Sequence, residues 1–356
     1  MAPIISELRN RRLEFKVCVT AQHREMLDKV LEFFEITPDY DLDLMHPNQS
    51  LNKLSANILS SVDKVLLEYK PRLVLVHGDT TTSVMVAWAA FHRQIKVGHV
   101  EAGLRTYNAK SPFPEELNRQ ITARLASVHF APTIKAKQNL LQEHLSASNI
   151  VVTGNTIVDA LNLAKNKISQ LKVEKFYKEL GFKPNPSRKS ILVTGHRREN
   201  VGKGLANICD ALLKLSQNKD VEIVFPVHLN PKVQNLVQKR LENVDSIHLV
   251  PPVSYPCLLW LMERSEFIIS DSGGIQEEAP SFGKIVLVTR EVSERMESVE
   301  AGFSILVGTN TAKIIQTANK LLQSSEKPAG GKNPYGDGKA AVRIVDYLMK
   351  KDGEQG

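Results

Sequence analysis

Cysteine is scarce in this 356-residue chain: Cys18, Cys209 and Cys257 stand far apart and form no C-x-x-C pair. Neither a disulfide framework nor a cysteine-built zinc site follows from them. Long apolar runs are missing too. One of the longest, "VMVAWAAF" (84–91), is far shorter than a bilayer span. The N-terminus, "MAPIISELRNRR", lacks the basic-then-apolar layout of a secretory leader, so a cytoplasmic location is expected. No G-x-G-x-x-G or Walker sequence occurs, and no His/Asp/Glu group has metal-ligand spacing. The "DLD" at 41–43 lies in the acidic stretch "PDYDLDL" and reads as a solvated face. Aromatics make up 6% of the chain, and no basic stripe carries stacking aromatics. The net charge of +7 therefore argues weakly for nucleic acid, because Lys and Arg are interleaved with Asp and Glu.

What is present is a regular alternation. Short β-branched runs occur at 15–20, 72–78, 95–100, 127–132 and 149–154, and again at 190–195, 221–227, 246–250, 266–270, 284–289 and 303–308. Helical patterns such as "TTSVMVAWAAFHRQ" (81–94) and "GLANICDALLKLSQ" (204–217) separate most of them. Strands alternating with helices predict parallel sheets covered on both faces. Two series predict two doubly wound domains, with the Lys-rich segment 166–189 connecting them. At the start, "MAPIISELRNR" reads as a helix with Ile4, Ile5 and Leu8 on one face, without the strand that normally opens such a domain.

Ligands of these sheets bind beyond the carboxyl ends of the strands. Polar and glycine residues gather there: "HGDTTTS" (77–83), "HVEAGLRT" (99–106), "TGNT" (153–156), "TGHRREN" (194–200), "PVHLNP" (226–231) and "SDSGGIQEE" (270–278). Asp79 either caps the following helix or belongs to a site. Glu101 occupies the corresponding position one strand over. In "SPFPEELNR" (111–119), Glu115 either complements a helix dipole or joins the same site, and Arg119 either pairs with Glu115 at i,i+4 or reaches elsewhere. Three carboxylates near one place would repel, which would raise the pKa of at least one. His196, Arg197 and Arg198 follow a strand and a glycine, a layout suited to phosphate or to a solvated basic turn. Gly273 and Gly274 let backbone approach a ligand at a helix start, where an anion is favoured, whereas a carboxylate there suits a ribose hydroxyl.

Taken together and in order, these stretches resemble the non-hydrolysing UDP-N-acetylglucosamine 2-epimerases. "TAQHREMLD" (20–28), "PFPEELNR" (112–119), "SDSGGIQEEAPSFGK" (270–284) and "NPYGDG" (333–338) extend the likeness along nearly the whole chain. The resemblance implies an α/β protein of the GT-B fold, two Rossmann-like doubly wound domains facing across a cleft. The expected parts are 1–165, the connecting 166–189, a UDP-binding domain at 190–335, and a last helix within 336–356 crossing back to the first domain.

The implied reaction turns UDP-GlcNAc into UDP-ManNAc by eliminating UDP to a 2-acetamidoglucal and adding it back, feeding cell-surface polysaccharide synthesis. Carried over residue by residue, Asp79, Glu101 and Glu115 are the acid/base candidates, and Arg119 and His196 position or stabilise. Ser272, Gly273 and Gly274 cradle the diphosphate, Arg295 and Arg197 are further contacts, and Glu278 holds the ribose. Gln22, His23 and His228 fall in stretches resembling an allosteric UDP-GlcNAc site. No cofactor or metal is implied. The expected partners are the nucleotide sugars and a second copy in a homodimer, with neither nucleic acid nor membrane insertion.

The sequence departs from the family pattern in three places. The family opens with a strand and "GTRPEAIKMAP", whereas this chain starts at "MAP", so a strand between 15–20 and 72–78 is expected to be missing. The usual "TERPE" reads "SERME", with Met296 in place of proline, and Leu258 stands where an aromatic is common. Three other readings compete: a hydrolysing epimerase releasing ManNAc and UDP, a GT-B glycosyltransferase, and an inactive truncated protein that binds nucleotide sugars.

Overall fold

The computed structural model describes residues 1–20, 24–44, 49–110, 112–195, 202–291, 293, 295–324 and 331–353. The chain forms two compact units, Met1–Ala160 with Tyr335–Gly356, and Leu161–Pro334.

The first unit carries strands β1 (Cys18–Val19), β2 (Tyr40–Asp41), β3 (Leu73–His77), β4 (Lys96–Val100), β5 (Val128–Ala131) and β6 (Ile150–Val152). All pairings are parallel: β1 with β2 in one sheet, and β3-β4-β5-β6 in another. Among the described residues no strand joins β1 to β3. Its helices are α1 (Ala2–Asn10), α2 (Arg24–Phe33), α3 (Leu51–Tyr69), α4 (Thr81–His92), α5 (Glu115–Leu125), α6 (Ile134–Gln142) and the start of α7 (Thr156–Ile168). Five strands fall inside the runs read from sequence. The sixth, β2, is an addition: Asp41 belongs to it, and Arg24 pairs with Asp41 and Asp43 on this solvated edge.

A last helix, numbered α15 below (Ala340–Gly353), packs on this unit. Ile4 of α1 and Ile344 and Val345 of α15 are fully enclosed in one cluster with Val128 and Phe130 of β5. Asp159 of α7 anchors the start of that helix, accepting hydrogen bonds from the backbone N–H groups of Ala340 at 3.2 Å and Ala341 at 2.8 Å.

The second unit holds β7 (Lys189–Thr194), β8 (Val221–Pro226), β9 (Ile247–Val250), β10 (Phe267–Ser270), β11 (Val286–Val288) and β12 (Ser304–Leu306). Its helices are α8 (Val173–Leu180), α9 (Lys203–Leu215), α10 (Pro231–Leu241), α11 (Tyr255–Arg264), α12 (Gly273–Glu278), α13 (Met296–Glu300) and α14 (Thr311–Gln323). The six parallel strands run β12-β11-β10-β7-β8-β9, the doubly wound order. Ile191, Ile223, Phe225, Phe267 and Leu287 lie in its core, under helices on both faces, which is why these strands read as continuous apolar runs rather than alternating ones. The order reverses between β7 and β10, where Thr194 and Ser270 are partners in register. That switch point is where such a sheet opens a crevice for ligands.

Among the described residues no helix is long and apolar enough to cross a membrane.

Candidate active site

In the first unit the candidate residues collect on Arg119. Strand β3 ends at His77, and Gly78 turns the chain with φ +70°. Gly78 is gripped twice by β4: its N–H donates to the Val100 carbonyl at 3.0 Å, and its carbonyl lies 2.8 Å from the His99 ring Nε2. Burial pushes His99 down to about 3, so the ring is neutral, and the contact to the carbonyl requires the proton on Nε2. Thr80, not Asp79, caps α4, its hydroxyl accepting from the Ser83 N–H at 3.2 Å. That leaves the Asp79 carboxylate for other work. Its Oδ2 accepts from Arg119 Nη2 at 2.5 Å.

Glu101 directly follows β4 in a left-handed conformation, φ +63°. A non-glycine residue there costs energy and is held by its surroundings. Arg119 supplies the hold: Nη1 donates to the Glu101 carbonyl at 2.6 Å and Nη2 to Oε1 at 2.9 Å. Glu101 Oε2 lies 3.4 Å from Asn155 Nδ2 and 3.8 Å from His77 Nε2. The Arg119 side chain is 4% exposed, against 28% for Asp79 and 12% for Glu101. A buried guanidinium thus bridges two carboxylates that keep some access to solvent.

Asp79 and Glu101, two of the three candidate carboxylates, share one cation. Arg119 stands between them, with Nη1 on the Glu101 carbonyl and Nη2 on both carboxylates, and none of these three bonds goes to Glu115, its i,i+4 neighbour. Glu115, the first residue of α5, is half-buried and makes no hydrogen bond to Asp79, Glu101 or Arg119. Its neighbour Glu116 is structural. Burial alone would raise its pKa, but hydrogen bonds from Thr106, Gln120 and the Tyr107 N–H outweigh that and lower it. Arg105, in the same "HVEAGLRT" stretch, is spent on a buried two-bond pair with Glu143, the residue that ends α6, at 2.6 and 2.9 Å.

In the second unit the candidates sit at the switch point. The Thr194 and Ser270 hydroxyls meet at 2.7 Å, and Ser270 Oγ accepts from the Ser272 N–H at 3.0 Å, fixing the turn that opens α12. The Ser272 side chain makes no capping bond of its own. Arg295 lies over Gly273: a Cβ there would stand 3.2 Å from its guanidinium carbon. Glu277 holds that guanidinium, accepting from Nε at 2.9 Å. Ser293 ties the segment down, donating to Gln276 Oε1 at 2.7 Å and accepting from the Arg295 N–H at 3.0 Å. Met296 opens α13 where the family's proline would sit, a first-turn position at which either residue is accommodated.

Glu278 is 6% exposed. Burial pushes its carboxyl up to about 7; the Tyr255 hydroxyl, donating to Oε1 at 3.0 Å, pulls the other way, and Glu277 adds to the rise. His228 is exposed and accepts from the Asn230 N–H at 3.1 Å, in the turn before α10. Leu258 is half-buried on α11. Gln22, His23, His196 and Arg197 lie outside the described residues.

Asn155, His99 and Glu277 lie in the stretches singled out above, but their partners could not be read there, and Tyr255 lies outside all of those stretches. Each acts on a partner far along the chain, so no local spacing marks it. Among the described residues no group of three His, Cys, Asp or Glu could hold a metal ion.

Comparison with known proteins gives a consistent result. The family model described as UDP-N-acetylglucosamine 2-epimerase matches residues 6–349. The UDP-N-acetylglucosamine 2-epimerase of Campylobacter jejuni is 49% identical over 98% of this chain and 94% of its own length. That of Escherichia coli (strain K12) is 47% identical over 98% and 94%. Among solved structures, the Neisseria meningitidis UDP-GlcNAc 2-epimerase bound to UDP-GlcNAc superposes with a TM-score of 0.92 at 48% identity, covering 98% of this chain and 96% of that one. The Methanocaldococcus jannaschii UDP-GlcNAc 2-epimerase in complex with UDP-GlcNAc and UDP gives 0.83 at 33% identity, covering 98% and 95%.

Proposed function

The chain belongs to the UDP-N-acetylglucosamine 2-epimerase family, an isomerase family of GT-B fold, and from that premise we propose that it interconverts UDP-GlcNAc and UDP-ManNAc without net hydrolysis. The C2 proton of this sugar has no neighbouring carbonyl to acidify it. Removal therefore couples to departure of the group on C1. A base takes the C2 proton, the C1–O bond breaks with its electron pair leaving on UDP, and a C1=C2 double bond forms. A proton then returns to the opposite face of C2, and the diphosphate oxygen bonds again to C1. Atoms and electrons balance without an oxidant or reductant.

The observation that carries this reading is the Arg119-bridged pair Asp79 and Glu101, two carboxylates held in fixed, partly open positions at adjacent strand ends. Such a pair suits proton transfer to and from one carbon. Glu115 is the third acid/base candidate. In the second unit, Ser272, Gly273, Gly274 and Arg295 take the diphosphate, with His196 and Arg197 as further contacts, and Glu278 takes the ribose. Positive groups aimed at the departing diphosphate stabilise the charge that develops there. We further propose that the protein is cytoplasmic and dimeric, that its product supplies cell-surface polysaccharide synthesis, and that Gln22, His23 and His228 belong to a regulatory nucleotide-sugar site.

Proton NMR of UDP-GlcNAc in D2O with the protein tests the reaction. UDP-ManNAc bearing deuterium at C2 is the expected product. Accumulation of free ManNAc and UDP identifies the hydrolysing reaction instead, and no turnover with UDP still bound identifies a binding protein.

A further inference from the structure

Glu278 is a buried carboxylate with an asymmetric surrounding. Oε1 accepts from the Tyr255 hydroxyl at 3.0 Å, and among the described residues no other side chain donates to either oxygen. The phenol that makes this bond is itself anchored. Tyr255 is the first residue of α11, and Ser254 caps that helix, its hydroxyl accepting from the Cys257 N–H. Glu179 of α8 fixes Ser254 from the other side. It accepts from the Ser254 N–H through one oxygen and from the Ser254 hydroxyl at 2.9 Å through the other. Phe176 of α8 stacks on Trp260 of α11 with ring centroids 5.2 Å apart, clamping the two helices together. A rigid pair of helices, not a loop, therefore sets the position of the phenol, as a precise contact requires.

We propose that Tyr255 is a positioning residue for nucleotide binding: its hydroxyl occupies one oxygen of Glu278 and so aims the other at the ribose hydroxyls. The proposal rests on the reading of Glu278 as the ribose contact. The donor does two jobs. It fixes the rotation of the carboxylate, and it favours the charged, acceptor-only form over the protonated one. The second matters because burial and the neighbouring Glu277 both act against that charge, and the guanidinium of Arg295 is bonded to Glu277. Without the phenol the carboxyl takes up a proton at higher pH and loses acceptor capacity in the neutral range.

The test is calorimetric titration of the full chain with UDP, from pH 6 to pH 9, for the wild type, Tyr255→Phe, Glu278→Gln and the double variant. Tyr255→Phe is expected to weaken UDP by about tenfold near neutral pH, the scale of one hydrogen bond to a charged group. It is also expected to move the pH midpoint of UDP affinity upward, a readout that loosened packing does not shift. The same Tyr255→Phe change is expected to have little effect once Glu278→Gln is present. In steady-state assays it raises KM more than it lowers kcat. Equal losses with and without Glu278→Gln, or an unmoved pH midpoint, overturn the proposal. Titration with 2′-deoxy-UDP separates it from its premise. Wild-type discrimination against the deoxy nucleotide that vanishes in Glu278→Gln supports the ribose contact. Equal binding of both nucleotides overturns the ribose contact and the role of Tyr255 with it.

Discussion

Arg119 donates to Glu101 twice, through Nη1 to its backbone carbonyl at 2.6 Å and through Nη2 to its side chain at 2.9 Å. One guanidinium thereby fixes both the left-handed backbone of Glu101 and the direction of its carboxylate, while sharing Nη2 with Asp79. Lysine has one charged nitrogen and no planar fork, so it cannot reproduce these three bonds at once. Arg119→Lys is expected to lower kcat by about 100-fold or more, the scale of losing preorganised charge at a site. It should also lower the urea midpoint, because two carboxylates lose a buried partner. Steady-state kinetics and urea unfolding of one preparation measure both; near-wild-type kcat would remove Arg119 from the site.

Gly273→Ala places a methyl group 3.2 Å from the Arg295 guanidinium carbon. Glu277 holds that guanidinium, so it can yield only by loosening their 2.9 Å contact. The expected result is a KM for UDP-GlcNAc raised by about tenfold with a small change in melting temperature, since the strain falls on one side-chain end and not on backbone. An unchanged KM would separate Arg295 from the diphosphate.

Asp159→Ala removes the acceptor for two buried N–H groups at the start of α15. Each unpaired donor costs about 1–3 kcal/mol. The expected loss of stability is therefore about 3 kcal/mol, with faster amide exchange concentrated in α15 and α1. Asp159→Asn, which keeps one acceptor oxygen, should lose less. Urea unfolding and hydrogen exchange read both variants, and uniform exchange across the chain would argue against local anchoring.

Glu278 gives stability a pH dependence of definite sign. Its carboxyl is raised from about 4.5 in the open chain to about 7 when folded. Between those values the folded state binds more protons, so this group's contribution is full below about pH 4.5 and is lost as pH rises through about 7. The difference is on the order of 3 kcal/mol. Glu278→Gln is expected to flatten the stability profile over that window and to be the more stable form at pH 8. Urea unfolding at pH 5, 6, 7 and 8 measures it; parallel profiles would place the carboxyl in an ordinary environment.

Eleven of the twelve strands among the described residues are legible as β-branched runs, most plainly in the sheet of the second unit, because a strand covered on both faces needs apolar side chains on both. β2 is the exception. It is two residues long and ends at the solvated Asp41, so burial left no mark on its sequence. The candidate residues were legible as types at strand ends, where polar and glycine residues break the apolar pattern. Their joint order along the chain carried the family.

What the sequence determined by itself is therefore the alternation of strands and helices, the ends at which chemistry collects, and the family. It did not determine which groups meet. Asp79 as cap or site residue, and Arg119 as a partner of Glu115 or of something distant, stood equally open. The fold decided both, bringing Arg119 to residues 18 and 40 positions away. It likewise joined Tyr255 to Glu278 and Glu277 to Arg295, 23 and 18 positions apart. Such contacts follow from strand order and helix packing. Parallel strands align the ends of distant segments side by side, and no local periodicity encodes which ends become neighbours.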